Sequence, residues 1–212
     1  MLRQLQLDNW RGVSALCFAL IGVQQLSNAS YIQGKAHFAQ YLIGRAWEQS
    51  IASGGLPTKP WPWADTWPVA KLNIPHQSLQ LYVLAGATGN ALAFGPGHES
   101  ASAPLGEPGL SLIGGHRDTH FGFLKTIAVN SSFQLELPTG ESLRYRVTNT
   151  SVVNINLKPL PAQQDDFDEL LLVTCYPFEA ISGGPLRYLV SARREGEVIS
   201  QYYESAAGSF DL

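Results

Sequence analysis

The sequence predicts a mainly β fold, a closed barrel or a sandwich. Three features predict it. From residue 64 onward the chain breaks into short apolar runs separated by Gly, Pro, Asn and Ser, the mark of many short strands. The 212 residues include 20 Gly and 13 Pro, which favours turns over a helical bundle. The chain is 45% hydrophobic and only 15% charged, enough to bury a core. Its net charge is −3, so no basic excess marks a nucleic-acid partner, and no run of like charge forms a tail.

The first element is apolar. Residues 13–23 read VSALCFALIGV without a charge. Stretched from Trp10 to Leu26, the segment reaches 17 residues, the lower limit for a membrane-spanning helix. Arg3 and Arg11 precede it against Asp8, a weak positive-inside bias. Three readings fit: an uncleaved anchor, a signal peptide cut near Ser27-Asn28-Ala29, or a buried helix of a soluble protein. We read residues 1–33 as a membrane anchor or signal segment, and either exports the rest of the chain.

Residues 34–63 read as a helix and a connector. Phe38, Tyr41, Leu42 and Trp47 recur at helical spacing, predicting an amphipathic helix over 37–50 that Gly54-Gly55 ends. Residues 57–68, PTKPWPWADTWP, cannot join a regular ladder because of their prolines. Their tryptophans either pack against the edge of the main domain or offer a binding or membrane-interface surface.

Residues 64–212 form the main domain. Strands are predicted over 69–74, 80–85, 110–113, 132–137, 142–151, 169–175 and 187–193, with a short helix within 121–129. Pro138-Thr139-Gly140 joins two of the strands as a hairpin turn. Seven strands in a domain of this size imply a closed barrel or a sandwich.

Two places carry chemistry. In LSLIGGHRDTHF, residues 110–121, a buried strand runs into Gly114-Gly115 and delivers His116; the glycines permit close backbone approach. In LLLVTCYPF, residues 170–178, a continuous apolar strand ends at Thr174-Cys175. Side chains at the ends of core strands are held rigidly and can still face a groove. A third element follows Ser182-Gly183-Gly184-Pro185, where Arg187 opens a new strand. If the two strands pair antiparallel, one register sets Cys175 beside Arg187, but the loop between them is too long to fix it. A thiolate is a nucleophile, favoured by a nearby cation. An imidazole can protonate a leaving amine and deprotonate an entering one. A guanidinium can hold an oxyanion.

The two cysteines, Cys17 and Cys175, are too few for a disulfide scaffold or a thiolate zinc site. With Cys17 in the membrane or removed, Cys175 is a lone thiol in an exported chain, the pattern of a reactive cysteine.

These motifs resemble those of the sortases, membrane-anchored cysteine transpeptidases of bacterial envelopes. The family pattern T-L-x-T-C lies over Leu171-Leu172-Val173-Thr174-Cys175 and departs from it only at Leu171. The GGHRDTHF and TCYPF contexts look most similar to the Gram-negative, proteobacterial branch. The resemblance covers roughly residues 64–195. It implies a closed sortase-like barrel of seven to eight strands with short helices. It places the family's catalytic Cys, His and Arg on Cys175, His116 and Arg187. It further implies cleavage of an LPxTG-like sorting signal between Thr and Gly, through a thioester on Cys175. The acyl group would pass to an amine of the cell envelope. The implied partners are an exported protein with a C-terminal sorting signal, that amine acceptor and the inner membrane. Thr174, His120 and Asp118 are candidate substrate-binding residues. Other readings are a hydrolytic cysteine protease with the same residues and a non-catalytic envelope-binding barrel.

Three patterns compete with that reading. His116, Asp118, His120 and His98 suggest a metal, but no H-E-x-x-H is present, so no metal is assigned. Asp118 reads instead as a residue that orients His116 or caps the helix near Phe121. The acidic run Asp165-Asp166-Phe167-Asp168-Glu169 reads as solvated loop charge rather than a calcium loop, so no cofactor is expected. Leu137-Pro138-Thr139-Gly140 is better explained as a turn than as a sorting signal.

Overall fold

A computed structural model describes residues 2–160 and 168–196. The chain separates into two compact units, 1–41 and 42–212. One helix, α1 (Leu2–Ala52), runs through both. The sequence predicts two helical pieces here. No proline occurs before Pro57, and the isolated glycines at 12, 22, 34 and 44 do not break the helix. In the first unit its large apolar side chains, among them Val13, Phe18, Ile21 and Leu26, are exposed. The stretch Gly12–Ala52 includes a segment long and apolar enough to cross a membrane.

In the second unit the last turns of α1 bury Ile43, Ala46, Trp47 and Ser50, an i, i+3, i+4, i+7 stripe. Phe38 and Tyr41, predicted to lie on the apolar face, are exposed. Trp47 packs on Tyr82 at 6.2 Å between ring centroids. The helix stops at Gly54 (φ +73°) and Gly55 (φ +97°), whose N–H groups donate to the carbonyls of Ile51 and Ser50. In the Pro/Trp connector, Trp61 meets Phe94 edge-on at 5.2 Å, so that ring packs against the domain. Trp63 is 82% exposed.

The rest is a closed eight-stranded barrel. Its strands are β1 (Pro68–Ile74), β2 (Leu79–Ala85), β3 (Gly97–His98), β4 (Gly109–Gly114), β5 (Ser132–Glu136), β6 (Ser142–Asn154), β7 (Asp168–Cys175) and β8 (Leu186–Arg194). They close in the order β1-β2-β3-β4-β7-β8-β6-β5. β2 with β3 and β4 with β7 pair in parallel; the others are antiparallel. All seven predicted strands are present within a residue or three at their ends. The two-residue β3 and the short helix α2 (Gly89–Phe94) carry too few residues to show a period. β3 also needs glycine: a Cβ on Gly97 would lie 2.1 Å from the Gly86 carbonyl oxygen. The predicted helix after Phe121 is a 3-10 turn over Gly122–Thr126.

The barrel interior holds Leu72, Phe133, Leu135, Tyr145, Leu170 and Val190 among others, each burying about 1.5–3 kcal/mol of side-chain transfer energy. β7 is buried on both faces, which is why it reads as an unbroken apolar run. Leu170 and Leu172 point inward. Leu171 and Val173 join Leu189 in a separate outer cluster, packed by Leu112, Val153 and Leu160.

Candidate active site

Parallel pairing of β4 and β7 sets the site. Gly114 stands level with Val173, and the Gly115 N–H extends the ladder by donating to the Val173 carbonyl at 3.0 Å. Two residues beyond this last pair, one chain segment carries His116 and the other Cys175. Thr174 points inward and is buried; its Oγ1 donates to the Gly115 carbonyl at 2.7 Å. Gly115 is therefore held on both sides by the strand that ends in Cys175.

The two glycines before His116 are not equivalent. A Cβ on Gly115 would come 2.7 Å from the ring of Phe121, whereas one on Gly114 would meet only the Ala87 methyl at 3.6 Å. Close approach is needed at Gly115 alone. Beyond His116 the backbone makes a tight turn, with the His116 carbonyl accepting the N–H of Phe121 at 2.9 Å. Phe121, Phe123 and Leu124 are buried and fix that turn to the core.

Antiparallel pairing of β7 and β8 makes Cys175 and Arg187 direct cross-strand partners. Residues so paired share a face, and this is the outer face that also carries Val173, Leu171 and Leu189. The thiol is free and half-buried. Beside it lies the outer apolar cluster, whose Leu171, Val173 and Leu189 are buried under Leu110, Leu112, Val153 and Leu160. Arg187 Nη1 donates to the carbonyls of Gly184 at 2.6 Å and Leu186 at 2.9 Å. Its sequence rivals lie at the far end of β8, where Arg193 pairs with Glu169 and Arg194 with Glu141. Tyr176, Phe178 and Tyr188 stack and tilt against one another at 5.3–6.2 Å beneath the strand end.

Of the candidate binding residues, His120 lies near His116, Asp118 is exposed and Thr174 is buried. Burial pushes the His120 imidazole below the ordinary histidine range, and the neighbouring His116 lowers it further. His120 thus stays neutral at neutral pH. Asp118 is exposed; the 3-10 turn begins at Phe121 with no side-chain cap, so Asp118 does not cap it. Thr174 faces the interior and supports the Gly115 backbone.

Among the described residues no three His, Cys, Asp or Glu side chains converge as a metal requires. His98 Nε2 is engaged with the Ala103 carbonyl at 3.0 Å. Asp165, Asp166 and Phe167 lie outside the described residues. Asp168, read as loop charge, is instead a buried residue of β7 that accepts from the Tyr145 hydroxyl at 2.7 Å. Glu169 is paired with Arg193. Residues 137–140 make the expected turn, with Gly140 at φ +87° and its N–H donating to the Leu137 carbonyl.

One residue here escapes the sequence reading. Arg117, directly after His116, reaches 63 and 65 residues ahead to donate through Nη2 to the carbonyls of Ala180 and Ser182, the latter at 3.0 Å. The signal was present as the Arg of GGHRDTHF, but nothing in the sequence says what a half-buried arginine will meet.

Comparison with known proteins follows the same outline. A family model described as the sortase domain matches residues 72–195. The chain is 31% identical over 123 residues to Sortase D of Bacillus subtilis (strain 168), covering 58% of this chain and 62% of that protein. It therefore spans under two thirds of that curated relative. Among solved structures it is similar to a Clostridium perfringens Sortase D5 transpeptidase (TM-score 0.56, 22% identity, 70% of this chain and 88% of the other). It is likewise similar to sortase C-1 from Actinomyces oris (TM-score 0.53, 27% identity, 60% and 72%). The expected likeness to the Gram-negative branch gains no support, since the curated relative comes from Bacillus, a Gram-positive organism.

Proposed function

Because the chain belongs to the sortase family, we propose that it is a membrane-anchored cysteine transpeptidase acting on an LPxTG-like sorting signal. The observation that supports this reading is the direct cross-strand pairing of Cys175 with Arg187, with His116 two residues beyond the last β4–β7 pair. We assign residues 1–33 to the anchor, 34–63 to the helix and connector, and 64–212 to the catalytic barrel, held outside the cytoplasmic membrane.

In this mechanism the sorting signal lies across the strand end that carries Cys175 and Arg187. The Cys175 thiolate attacks the Thr carbonyl carbon, forming a C–S bond and an oxyanion. Arg187, across the ladder, stabilises that charge as its guanidinium exchanges the Gly184 carbonyl for the substrate oxygen. The oxyanion collapses, the C–N bond to Gly breaks, and His116 gives its proton to the departing amine. The acyl group remains on sulfur as a thioester. An envelope amine then attacks the thioester carbonyl, returns a proton to His116, and leaves an amide and a free thiolate. Leu171 leaves this chemistry intact and acts on which signal is accepted.

The test is to incubate the full chain in detergent with an LPxTG-type peptide and a small amine, and to weigh the products. Amide product with a thioester on Cys175 supports the transpeptidase. Acid alone indicates a hydrolytic protease. No reaction, with tight peptide binding kept in Cys175→Ala, indicates a binding module.

A further inference from the structure

The loop between β7 and β8 joins Cys175 to Arg187, and its two halves are held differently. Its first half is tied to the segment that follows His116. Arg117 donates to the carbonyls of Ala180 and Ser182, and Lys125 pairs with Glu179. Its second half is Gly183-Gly184-Pro185, where a Cβ on either glycine would meet nothing within 4 Å. The restraints there are Arg187, through the Gly184 and Leu186 carbonyls, and the Ile155 N–H, which donates to the Pro185 carbonyl at 3.0 Å. Both members of the Lys125–Glu179 pair are exposed, and such pairs contribute little. Arg117 is half-buried and takes two carbonyls of one loop through one nitrogen.

We propose that Arg117 is a positioning residue: by clamping the β7–β8 loop to the turn that carries His116, it fixes that turn relative to the loop whose Gly184 carbonyl holds the Arg187 guanidinium, and so sets His116 against Arg187. The inference rests on the transpeptidase reading for its kinetic effect, though the clamp itself does not. When Arg187 exchanges the Gly184 carbonyl for substrate, Gly183 and Gly184 lose their side-chain tether while Pro185 stays bonded to the Ile155 N–H. The Arg117 contacts, on the other side of these glycines, then hold the loop to the histidine turn. Arg117 touches neither sulfur nor substrate; it acts through Ala180 and Ser182.

The experiment compares Arg117→Ala, Arg117→Gln and Arg117→Lys with Lys125→Ala in the full chain. It reads single-turnover thioester formation with the LPxTG-type peptide, alkylation of Cys175 by iodoacetamide, and hydrogen exchange across residues 178–186. In Arg117→Ala and Arg117→Gln, acylation should slow by about tenfold or more with KM within about threefold. Alkylation should stay within about twofold, and exchange should rise in the loop but not in β7 or β8. Arg117→Lys, which keeps charge and donors, should recover acylation to within about threefold of the parent, and Lys125→Ala should change it less than that. Acylation within twofold of the parent in Arg117→Gln would overturn the proposal. So would loop exchange that does not change, or losses in acylation and alkylation that run in parallel, since those describe general loosening. If Arg117→Ala does not fold, the Gln and Lys variants decide. If the parent forms no thioester, the functional reading fails, and loop exchange still judges the clamp.

Discussion

Cys175 on β7 stands directly across the antiparallel ladder from Arg187 on β8. The pairing places a thiol and a guanidinium on one face with no loop residue between them. A rigid ladder, not a flexible segment, sets their separation.

Geometry of this kind makes the arginine hard to replace. Arg187→Lys keeps the charge and loses the planar fork, so kcat/KM for peptide cleavage should fall by about tenfold or more. Arg193→Lys, at the far end of β8 against Glu169, should leave it within about twofold. Steady-state kinetics on the two variants checks this.

Thr174 contributes through the backbone. Its hydroxyl is the donor to the Gly115 carbonyl, so Thr174→Val leaves a part-buried acceptor unpaired and should destabilise by about 1–3 kcal/mol. Thr174→Ser keeps the hydroxyl and should lose less than about 1 kcal/mol. Urea denaturation distinguishes them.

The paired glycines should respond in opposite ways. Gly115→Ala drives a methyl into the Phe121 ring and should cost about 1–3 kcal/mol with loss of activity. Gly114→Ala meets only ordinary contact and should be neutral or slightly stabilising, as less backbone entropy is lost on folding.

Leu171 is 1% exposed within the outer apolar cluster. Leu171→Thr would write the complete family motif, yet it buries a hydroxyl in apolar surroundings and removes packing. The expectation is a loss of about 1–3 kcal/mol, seen as a lower urea midpoint, together with altered preference among signal peptides.

His120 gives a pH signature. In the unfolded chain it takes up a proton around its ordinary value of 6.5, and in the folded chain only at lower pH. Between those values the unfolded state binds more protons, so folding stability is complete above about pH 6.5 and declines as pH falls through the folded value. His120→Asn should flatten that decline. Urea midpoints measured at about pH 5 and pH 7.5 test it; an unchanged decline in the variant refutes the assignment.

The strands were legible because each buries one or two faces, and burial writes a period into the residues. The order His116, Cys175, Arg187 was legible because each follows a strand end or begins one. The register between Cys175 and Arg187 was not, since eleven intervening positions, 176–186, carry no period and are settled by ladder bonds. The single long helix was misread as two because its exposed apolar half and its packed half have different patterns on one continuous backbone. Arg117 and Asp168 were missed or misjudged for a common reason. A charged side chain in sequence looks solvated, and only the fold supplies the carbonyls or the tyrosine hydroxyl that take it in.

The two-residue β3 has a consequence for how copies of this protein coexist. By bridging β2 and β4 it leaves the sheet without a free margin. Open margins present unpaired N–H and C=O groups that template pairing with other chains. A sealed sheet gives neighbouring copies no margin to zip onto. Gly97, which alone lets β3 pass the Gly86 carbonyl, is thus a guard against aggregation as much as a structural glycine.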